Sequence, residues 1–274
     1  MESELDVAFE SWSAWRDWYE ANRIVFDSNY IHGIANHILS TGFMEPLTKQ
    51  RVAPEQITHA DGNWREGLVY QGVNSRTRAV MHVVERTVDL SAAQQLRIYA
   101  PEAVTALALR LRGIFPRFLG SEFTDDPEMR QQLYPIPFED LMSLSLPSNT
   151  FDLVSSNEVL EHVPNIDRAL QEMCRVLKPG GWHIGTCPFR FMDERSQRRA
   201  RVEDGRVIYL MEPEYHGNPM SPSGSLVFEI PGWDILDRCK QAGFANAAMR
   251  LVMSKSSGYV SNHVAGIFVL ACCK

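Results

Sequence analysis

The sequence predicts an α/β fold, and the clearest indication is a strand–helix–strand unit within residues 151–187. Residues 151–154 form a short apolar run that suits a buried strand. Asn165 stands where a helix N-cap belongs, and Lys178-Pro179-Gly180-Gly181 supplies a cation, a helix breaker and flexible residues where the helix should end. Between these signals, apolar residues recur at helical spacing: Ile166, Ala169, Leu170, Met173, Val176 and Leu177.

The composition favours a folded protein with a sizeable core and disfavours nucleic-acid binding. The chain has 274 residues, of which 45% are hydrophobic, and a net charge of -7. Its five cysteines form no CxxC pair, which favours reduced thiols and a cytoplasmic location. The first residues lack the features of a secretory signal, and no apolar run reaches the about 20 residues that a membrane span needs. We therefore expect neither a nucleic acid nor a membrane as partner.

The N-terminal region, residues 1–94, is predicted to be a helical cap. Residues 5–23 carry the aromatic side chains of Phe9, Trp12, Trp15 and Tyr19 at helical spacing, and residues 30–39 repeat isoleucine on one face of a second helix. The aromatic stripe either packs against the main domain as core or roofs a substrate pocket.

A further helix of this region is predicted to begin at Asn74 or Ser75. Arg76 and Arg78 fall in its first turn, where the helix dipole disfavours positive charge. Either an anionic partner lies near these arginines or solvent surrounds them.

The main domain is predicted over residues 95–274. Its first strand, residues 96–100, leads into a helix from Pro101, whose ring suits a first helical turn, and residues 117–121 form the next strand. After an insertion at residues 189–226, the remaining elements are a helix at 231–242 and strands at 247–253 and 265–273. The last strand is nearly all apolar and is therefore expected to be buried.

Two stretches of the chain, SSNEVLEHV and ALQEMCRVLKPGGWHIGTCPF, closely resemble the class I S-adenosylmethionine-dependent methyltransferases, especially those that act on small molecules. The resemblance implies a Rossmann-like, seven-stranded, mostly parallel sheet with an antiparallel last strand, and S-adenosylmethionine as cofactor. The stretch Tyr70-Gln71-Gly72-Val73 lacks the paired cysteines that some members carry, so no metal site is expected.

The family's cofactor-binding turn departs from its usual pattern in this chain. Members usually have a glycine-rich turn after the first strand, which lets the backbone approach the cofactor. Here the turn reads Tyr99-Ala100-Pro101-Glu102-Ala103-Val104-Thr105, without glycine. Tyr99 and Ala100 are still expected beside the cofactor. Either Glu102 and Thr105 supply polar contacts to it, or binding has been lost.

Polar residues after the other strands complete the expected cofactor site. Glu122 follows the second strand, where a carboxylate can accept hydrogen bonds from two ribose hydroxyls. Residues 134–141 resemble the family's third strand and its acidic turn, which would place Asp140 and Leu141 beside the adenine. Asn157 and Glu158 follow the central strand, at the edge where ligands of such sheets bind.

The catalytic residues are expected to be few, because methyl transfer from a sulfonium is an in-line displacement that depends mainly on alignment. For an oxygen acceptor, His216 or His162 would remove the proton, and Tyr215 or Glu158 would orient the substrate.

The sequence thus predicts methyl transfer to a hydroxyl or amine of a small molecule, such as a sugar or a natural product. The missing glycines leave a second hypothesis open, a degenerate member that serves as a binding module or a repurposed enzyme. A nicotinamide-dependent oxidoreductase is disfavoured, because the GxGxxG turn is absent as well. A homodimer is compatible with the sequence, which carries no clear signal of oligomeric state.

Overall fold

The computed structural model describes residues 4–60, 62–124, 126–218 and 221–274. The α-helices of this part of the chain are α1 (Trp12–Ala21), α2 (Ser28–Thr41), α3 (Trp64–Gly67), α4 (Ser75–Thr87), α5 (Ala106–Ile114), α6 (Pro127–Gln132), α7 (Ile166–Val176) and α8 (Ile235–Gln241). Short 3₁₀ turns occupy Arg23–Phe26, Pro54–Gln56, Leu90–Ala92 and Leu160–His162. The strands are β1 (Glu4–Phe9), β2 (Phe43–Met44), β3 (Arg51–Val52), β4 (Arg97–Ala100), β5 (Arg117–Gly120), β6 (Phe151–Asn157), β7 (Leu177–Thr186), β8 (Gln197–Arg198), β9 (Ala200–Glu203), β10 (Arg206–Tyr209), β11 (Tyr215–Asn218), β12 (Ser221–Leu226), β13 (Glu229–Ile230), β14 (Asn246–Ser254) and β15 (Ile267–Cys273).

One seven-stranded sheet organises the fold, with the strand order β1-β14-β15-β7-β6-β4-β5. Strands β4, β5, β6 and β7 run parallel, whereas β15 is antiparallel to both of its neighbours, β7 and β14. Helices α4 and α5 belong to the apolar core on one face, and α7 and α8 belong to the core on the other. The predicted Rossmann-like α/β sheet with an antiparallel last strand is confirmed.

The β6–α7–β7 unit follows the local sequence signals. The side chain of Asn165 accepts a hydrogen bond from the backbone N–H of Arg168 and caps α7 as predicted. The apolar face of α7 is fully buried, so the helix is stabilised mainly by packing on the sheet. Strand β7 begins at Leu177, earlier than predicted, and includes Lys178-Pro179-Gly180-Gly181.

The prediction of one helix over residues 5–23 is wrong for its first part. Residues 4–9 form β1, which pairs antiparallel with β14 at the edge of the main sheet, and the helix begins only at Trp12. Leu5 and Phe9 are buried while the residues between them alternate, which is the two-residue period of a strand. Residues 4–9 are therefore part of the central sheet.

The predicted third strand, within residues 134–141, is reduced to a single parallel bridge between Glu122 and Phe138. The sheet still has seven strands because β1 occupies its opposite edge.

The aromatic side chains near the N-terminus pack as core. Trp15 is fully buried and its ring contacts those of Phe9, Trp18, Trp233 and Phe268 at centroid distances of 5.2 to 5.7 Å. Such offset and edge-on contacts are favourable beyond simple burial. Of the two interpretations of the aromatic stripe, the one that places it in the core therefore holds.

The two arginines at the start of α4 have internal partners instead of solvent. The guanidinium of Arg78 is fully buried and donates to the carbonyls of Gly258, Val73 and Leu68 at 2.7 to 2.9 Å. Burial lowers the pKa of Arg78 to about 9, which still leaves it a cation at neutral pH. Arg76 lies beside acidic side chains at the candidate site described below.

Each described helix is too short or too polar to cross a lipid bilayer.

Candidate functional site

A cavity of about 820 Å³ opens at the carboxyl ends of β4, β5 and β6. Strand β4 pairs with β5 on one side and with β6 on the other, so the crevice lies where the chain's crossovers diverge. Ligands of open α/β sheets bind at such a point. The volume is within the range of about 300–1,000 Å³ that is usual for small-molecule sites.

Most of the residues that the sequence singled out lie in the lining of this cavity. The predicted cofactor residues found there are Glu102, Thr105, Glu122, Asp140, Leu141, Asn157 and Glu158, and the predicted catalytic residue found there is His162. Tyr99 and Ala100 are not among the lining residues, because both side chains are fully buried in the sheet. The hydroxyl of Tyr99 is instead hydrogen-bonded to that of Ser121 at 2.9 Å.

The glycine-free turn after β4 is shaped by contacts with the end of β5. The backbone N–H of Ala103 donates to the carbonyl of Ser121 at 3.1 Å, and the N–H of Val104 donates to the Glu122 carboxylate at 3.0 Å. A Cβ on Gly120 would lie 2.9 Å from the Cα of Ala103, so glycine permits this close approach. Helix α5 consequently begins at Ala106, capped by Thr105, and the predicted start at Pro101 is wrong.

Glu102 lies buried between this turn and the end of β6. Its Oε1 accepts from the side-chain amide of Asn157 at 2.6 Å, and its Oε2 accepts from the Thr105 hydroxyl at 3.1 Å. Burial raises the pKa of Glu102 to about 7, and the hydrogen bond from Asn157 and the charge of Arg76 offset only part of that rise. The carboxyl of Glu102 can therefore gain or lose its proton near neutral pH.

An ion-pair network forms the wall opposite this turn. Arg76 Nε lies 2.8 Å from Glu66 and 3.7 Å from Glu158, and Arg65 pairs with Glu158 at 2.9 Å. Burial raises the pKa of the Glu158 carboxyl, but the charges of Arg76 and Arg65 outweigh burial and hold it below its usual range. Glu158 also has a φ of 53°, a backbone conformation that is uncommon outside glycine and concentrates at functional sites.

The sequence analysis did not single out Arg65 and Glu66, which contribute to this network. They belong to the short helix α3, capped by Asn63. The one available signal was the unfavourable position of Arg76 in the first turn of α4, which indicated an anionic partner.

The lining beside β5 combines carboxylates with apolar surface. The Asp140 carboxylate accepts from the backbone N–H of Met142 at 2.8 Å. Phe123, Leu141 and Met142 line the same part of the cavity, and the ring of Phe123 packs against that of Phe138 with centroids 5.3 Å apart. This surface suits a flat heteroaromatic group whose polar edge meets a carboxylate or backbone.

The two predicted histidines come together, although they are far apart in the sequence. His162 and His216 both face the buried carboxylate of Glu161, at 3.5 and 3.6 Å. Glu161, and next to it Glu214, raise the pKa of His216 to about 9, so this ring is protonated at neutral pH and is unsuited to the predicted role of base. Only His162 of the pair lines the cavity.

Tyr215 is not at the site, contrary to prediction. Its side chain is 52% exposed, and its hydroxyl interacts with Tyr209 of the same insertion.

The insertion at residues 189–226 contributes two hairpins, β9–β10 and β11–β12. Val202, Gly205 and Val207 of the first, and Gly217 and Ser225 of the second, line the cavity. The insertion therefore covers the carboxyl edge of the sheet.

Comparison with known proteins agrees with this architecture. A family model described as a methyltransferase domain matches residues 123–185, which include β6, α7 and most of β7. The chain is 47% identical over 49 residues to the ubiquinone/menaquinone biosynthesis C-methyltransferase UbiE of Laribacter hongkongensis, covering 18% of this chain and 20% of that protein. It is 33% identical over 117 residues to the demethylmenaquinone methyltransferase of Anoxybacillus flavithermus, covering 40% and 47%.

These matches span less than half of the length of the curated relatives. Among solved structures, an S-adenosylmethionine-dependent methyltransferase from Mesorhizobium loti aligns over 72% of this chain and 98% of that one, with 13% identity and a TM-score of 0.44. The family match falls on the strand–helix–strand unit around which the sheet and cavity are built. Over residues 123–185 the chain is thus similar to the methyltransferase domain family.

Proposed function

We propose that this protein transfers a methyl group from S-adenosylmethionine to a small molecule bound in the cavity at the ends of β4, β5 and β6. The observation that carries the proposal is the convergence of Glu102, Glu122, Asp140 and Asn157, from four different segments, on one cavity. The cavity is large enough for a nucleoside cofactor and part of an acceptor.

The lining residues fit the chemical groups of this cofactor. Glu122 would accept hydrogen bonds from the ribose hydroxyls, and Asp140 with Leu141 would border the adenine. The carboxylate of Glu102 would receive the α-ammonium group, and Arg76 would face the α-carboxylate. Acidic side chains outnumber basic ones in the lining, which also favours a ligand with a positively charged sulfonium.

The protein's contribution to the reaction is alignment and the exclusion of water. The cofactor supplies an electrophilic methyl group on a positively charged sulfur, so the chain needs no covalent nucleophile of its own. The turn after β4 and the end of β6 hold one side of the cavity, and the insertion hairpins cover it. Acceptor and cofactor would thereby be held in line, away from bulk solvent.

The acceptor end of the cavity lies on the side of His162 and the insertion. Val202, Val207 and Phe228 provide apolar surface there, with Asn218 and Ser225 as polar groups. We propose a small acceptor with an apolar body and one hydroxyl or amine.

Isothermal titration with S-adenosylhomocysteine tests this function. We expect micromolar binding that is abolished in the Glu122→Ala variant, because the ribose hydroxyls lose their acceptor. Glu128→Ala, an exposed change on α6, is the matched control and should bind like the unchanged protein. No binding by the unchanged protein would end the proposal.

A specific contact favours the second hypothesis, in which the protein has the methyltransferase fold and binds a ligand but does not transfer a methyl group. Both oxygens of Glu102 already have partners within the protein, Asn157 and Thr105, where other members have a glycine-rich turn. Mass spectrometry of the purified protein separates the two functions. An adenosyl compound that co-purifies supports the methyltransferase, and labelled methyl donor with an acceptor panel then tests turnover.

A further inference from the structure

Glu161, His162 and His216 form a cluster beside the cavity, and their ligand-type atoms all lie within 4.8 Å of one another. Glu161 and His162 belong to the 3₁₀ turn Leu160–His162, whereas His216 lies on β11 of the insertion. The cluster therefore joins the central sheet to the segment that covers the cavity. His162 is the member that lines the cavity.

The carboxylate of Glu161 lacks a hydrogen-bond partner among the described residues. The side chain is 0% exposed, and neither Oε1 nor Oε2 has a donor within hydrogen-bonding geometry. A buried polar group without a partner costs free energy, and a carboxylate costs more than a neutral group. Such a group calls for a cation in the space that it faces, which is the protonated imidazole of His216 in the free protein and a metal ion once the metal displaces that proton.

Each imidazole is oriented by a second partner on its far side. The Nδ1 of His162 donates to the carbonyl of Leu226 at 2.9 Å, which leaves Nε2 facing Glu161. The Nε2 of His216 lies 3.0 Å from Glu214, which leaves Nδ1 facing Glu161. Metal-binding histidines are typically held in this way, by a carbonyl or carboxylate on the other ring nitrogen.

The distances within the cluster fit a metal ion. Two ligand atoms that each lie about 2.1 Å from a tetrahedral Zn²⁺ are about 3.4 Å apart. Glu161 Oε1 lies 3.5 Å from His162 Nε2 and 3.6 Å from His216 Nδ1. Both distances exceed a good hydrogen bond and match a pair of ligands around a shared ion.

We propose that Glu161, His162 and His216 bind a divalent transition-metal ion of the zinc type, with an open coordination position toward the cavity. Two histidines and one carboxylate leave such a position in catalytic zinc sites. This metal site also narrows the choice of acceptor, an inference that rests on the proposed function. A metal ion at the acceptor end favours an acceptor that binds through a hydroxyl oxygen over one that binds through an amine.

Metal binding is tested by titrating the chelator-treated full-length protein with Zn²⁺ and by following the visible spectrum of the Co²⁺-loaded protein. We expect one Zn²⁺ per chain and a loss of affinity of more than about 100-fold in His216→Ala and in Glu161→Gln. Glu214→Gln, which changes the group behind His216 and also the ion-pair partner of Arg199, should weaken binding about 10- to 100-fold. His37→Ala, on the exposed face of α2, is the matched control and should not change the affinity.

The experiment also separates this site from the proposed function. Acetohydroxamate, an oxygen-donor probe, should shift the Co²⁺ spectrum if a coordination position is open. Absence of Zn²⁺ binding, or binding that persists in both His216→Ala and Glu161→Gln, would overturn the metal site. S-adenosylhomocysteine titrations of the same metal-free protein report on the nucleoside site alone, so each proposal fails by its own measurement.

Discussion

The side-chain amide of Asn157 donates to the carboxylate of Glu102 at 2.6 Å, and this hydrogen bond joins the turn after β4 to the end of β6. It spans the crevice between the two strands where the crossovers diverge. The buried Glu102 thus stands in the glycine-free turn, and its carboxyl contributes a titratable charge to that part of the cavity.

Binding of S-adenosylhomocysteine should therefore depend on pH. The pKa of Glu102 is raised by burial to about 7, so the carboxylate that would receive the α-ammonium group is ionised above pH 7 and protonated below it. We expect the affinity to weaken about tenfold between pH 8 and pH 6, measured by calorimetry. Glu102→Gln should bind weakly at pH 8 with a flatter profile. An affinity that rises as the pH falls would show that Glu102 does not contact the α-ammonium group of the ligand.

Arg78 should be required for stability. Its guanidinium holds the carbonyls of Leu68, Val73 and Gly258 in the protein interior. Arg78→Met removes the guanidinium from all three carbonyls, of which that of Val73 keeps the N–H of Tyr70 as donor, and we expect a loss of about 3–5 kcal/mol in urea unfolding. Arg86→Met, exposed on the same helix, should cost less than about 0.5 kcal/mol. Equal effects of the two substitutions would contradict the assigned role.

The edge strand β1 should weaken in acid. Burial raises the pKa of Asp6, but hydrogen bonds with His82 and Arg250 outweigh burial and hold it at about 2. A carboxyl whose pKa is lower in the folded protein than in the unfolded chain stabilises the fold at any pH above the unfolded pKa, which is near 4 for Asp6. This contribution is lost as the pH falls toward the folded pKa of about 2. Asp6→Asn should cost about 1–2 kcal/mol at pH 7 and almost nothing near pH 2, by denaturant unfolding. Asp17→Asn, exposed on α1, is the control.

Local signals in the sequence were sufficient for the centre of the fold. The Asn165 cap and the apolar spacing of α7 act within a few residues, so they predict the β6–α7–β7 unit without knowledge of the rest. Ligands of open α/β sheets bind beyond the carboxyl ends of the strands, and this rule correctly predicted that Asn157, Glu158 and Glu122 lie at one cavity.

The edges of the sheet depended on contacts that local patterns do not contain. β1 pairs with β14, almost the whole chain away, and the helical spacing of its aromatic neighbours concealed its two-residue alternation. The short segment at Phe138 has strand-like residues but pairs only once. In both segments, strand formation depended on pairing with residues that are distant in the sequence.

The charges at the site were equally hard to predict from sequence. The unsuitability of His216 as a base follows from Glu161 and Glu214, whose proximity arises from the folding of the insertion over the sheet. Tyr215 pairs with Leu226 in the β11–β12 hairpin and lies outside the cavity, which no local sequence pattern indicates.

A crystal structure of the protein grown with excess S-adenosylhomocysteine tests the central claim most directly. The account predicts the nucleoside in the cavity, with its ribose hydroxyls within hydrogen-bonding distance of Glu122 and its adenine beside Asp140 and Leu141. A cavity without nucleoside under these conditions, with the Glu102–Asn157 hydrogen bond intact and the crevice closed by the protein's own side chains, would contradict it.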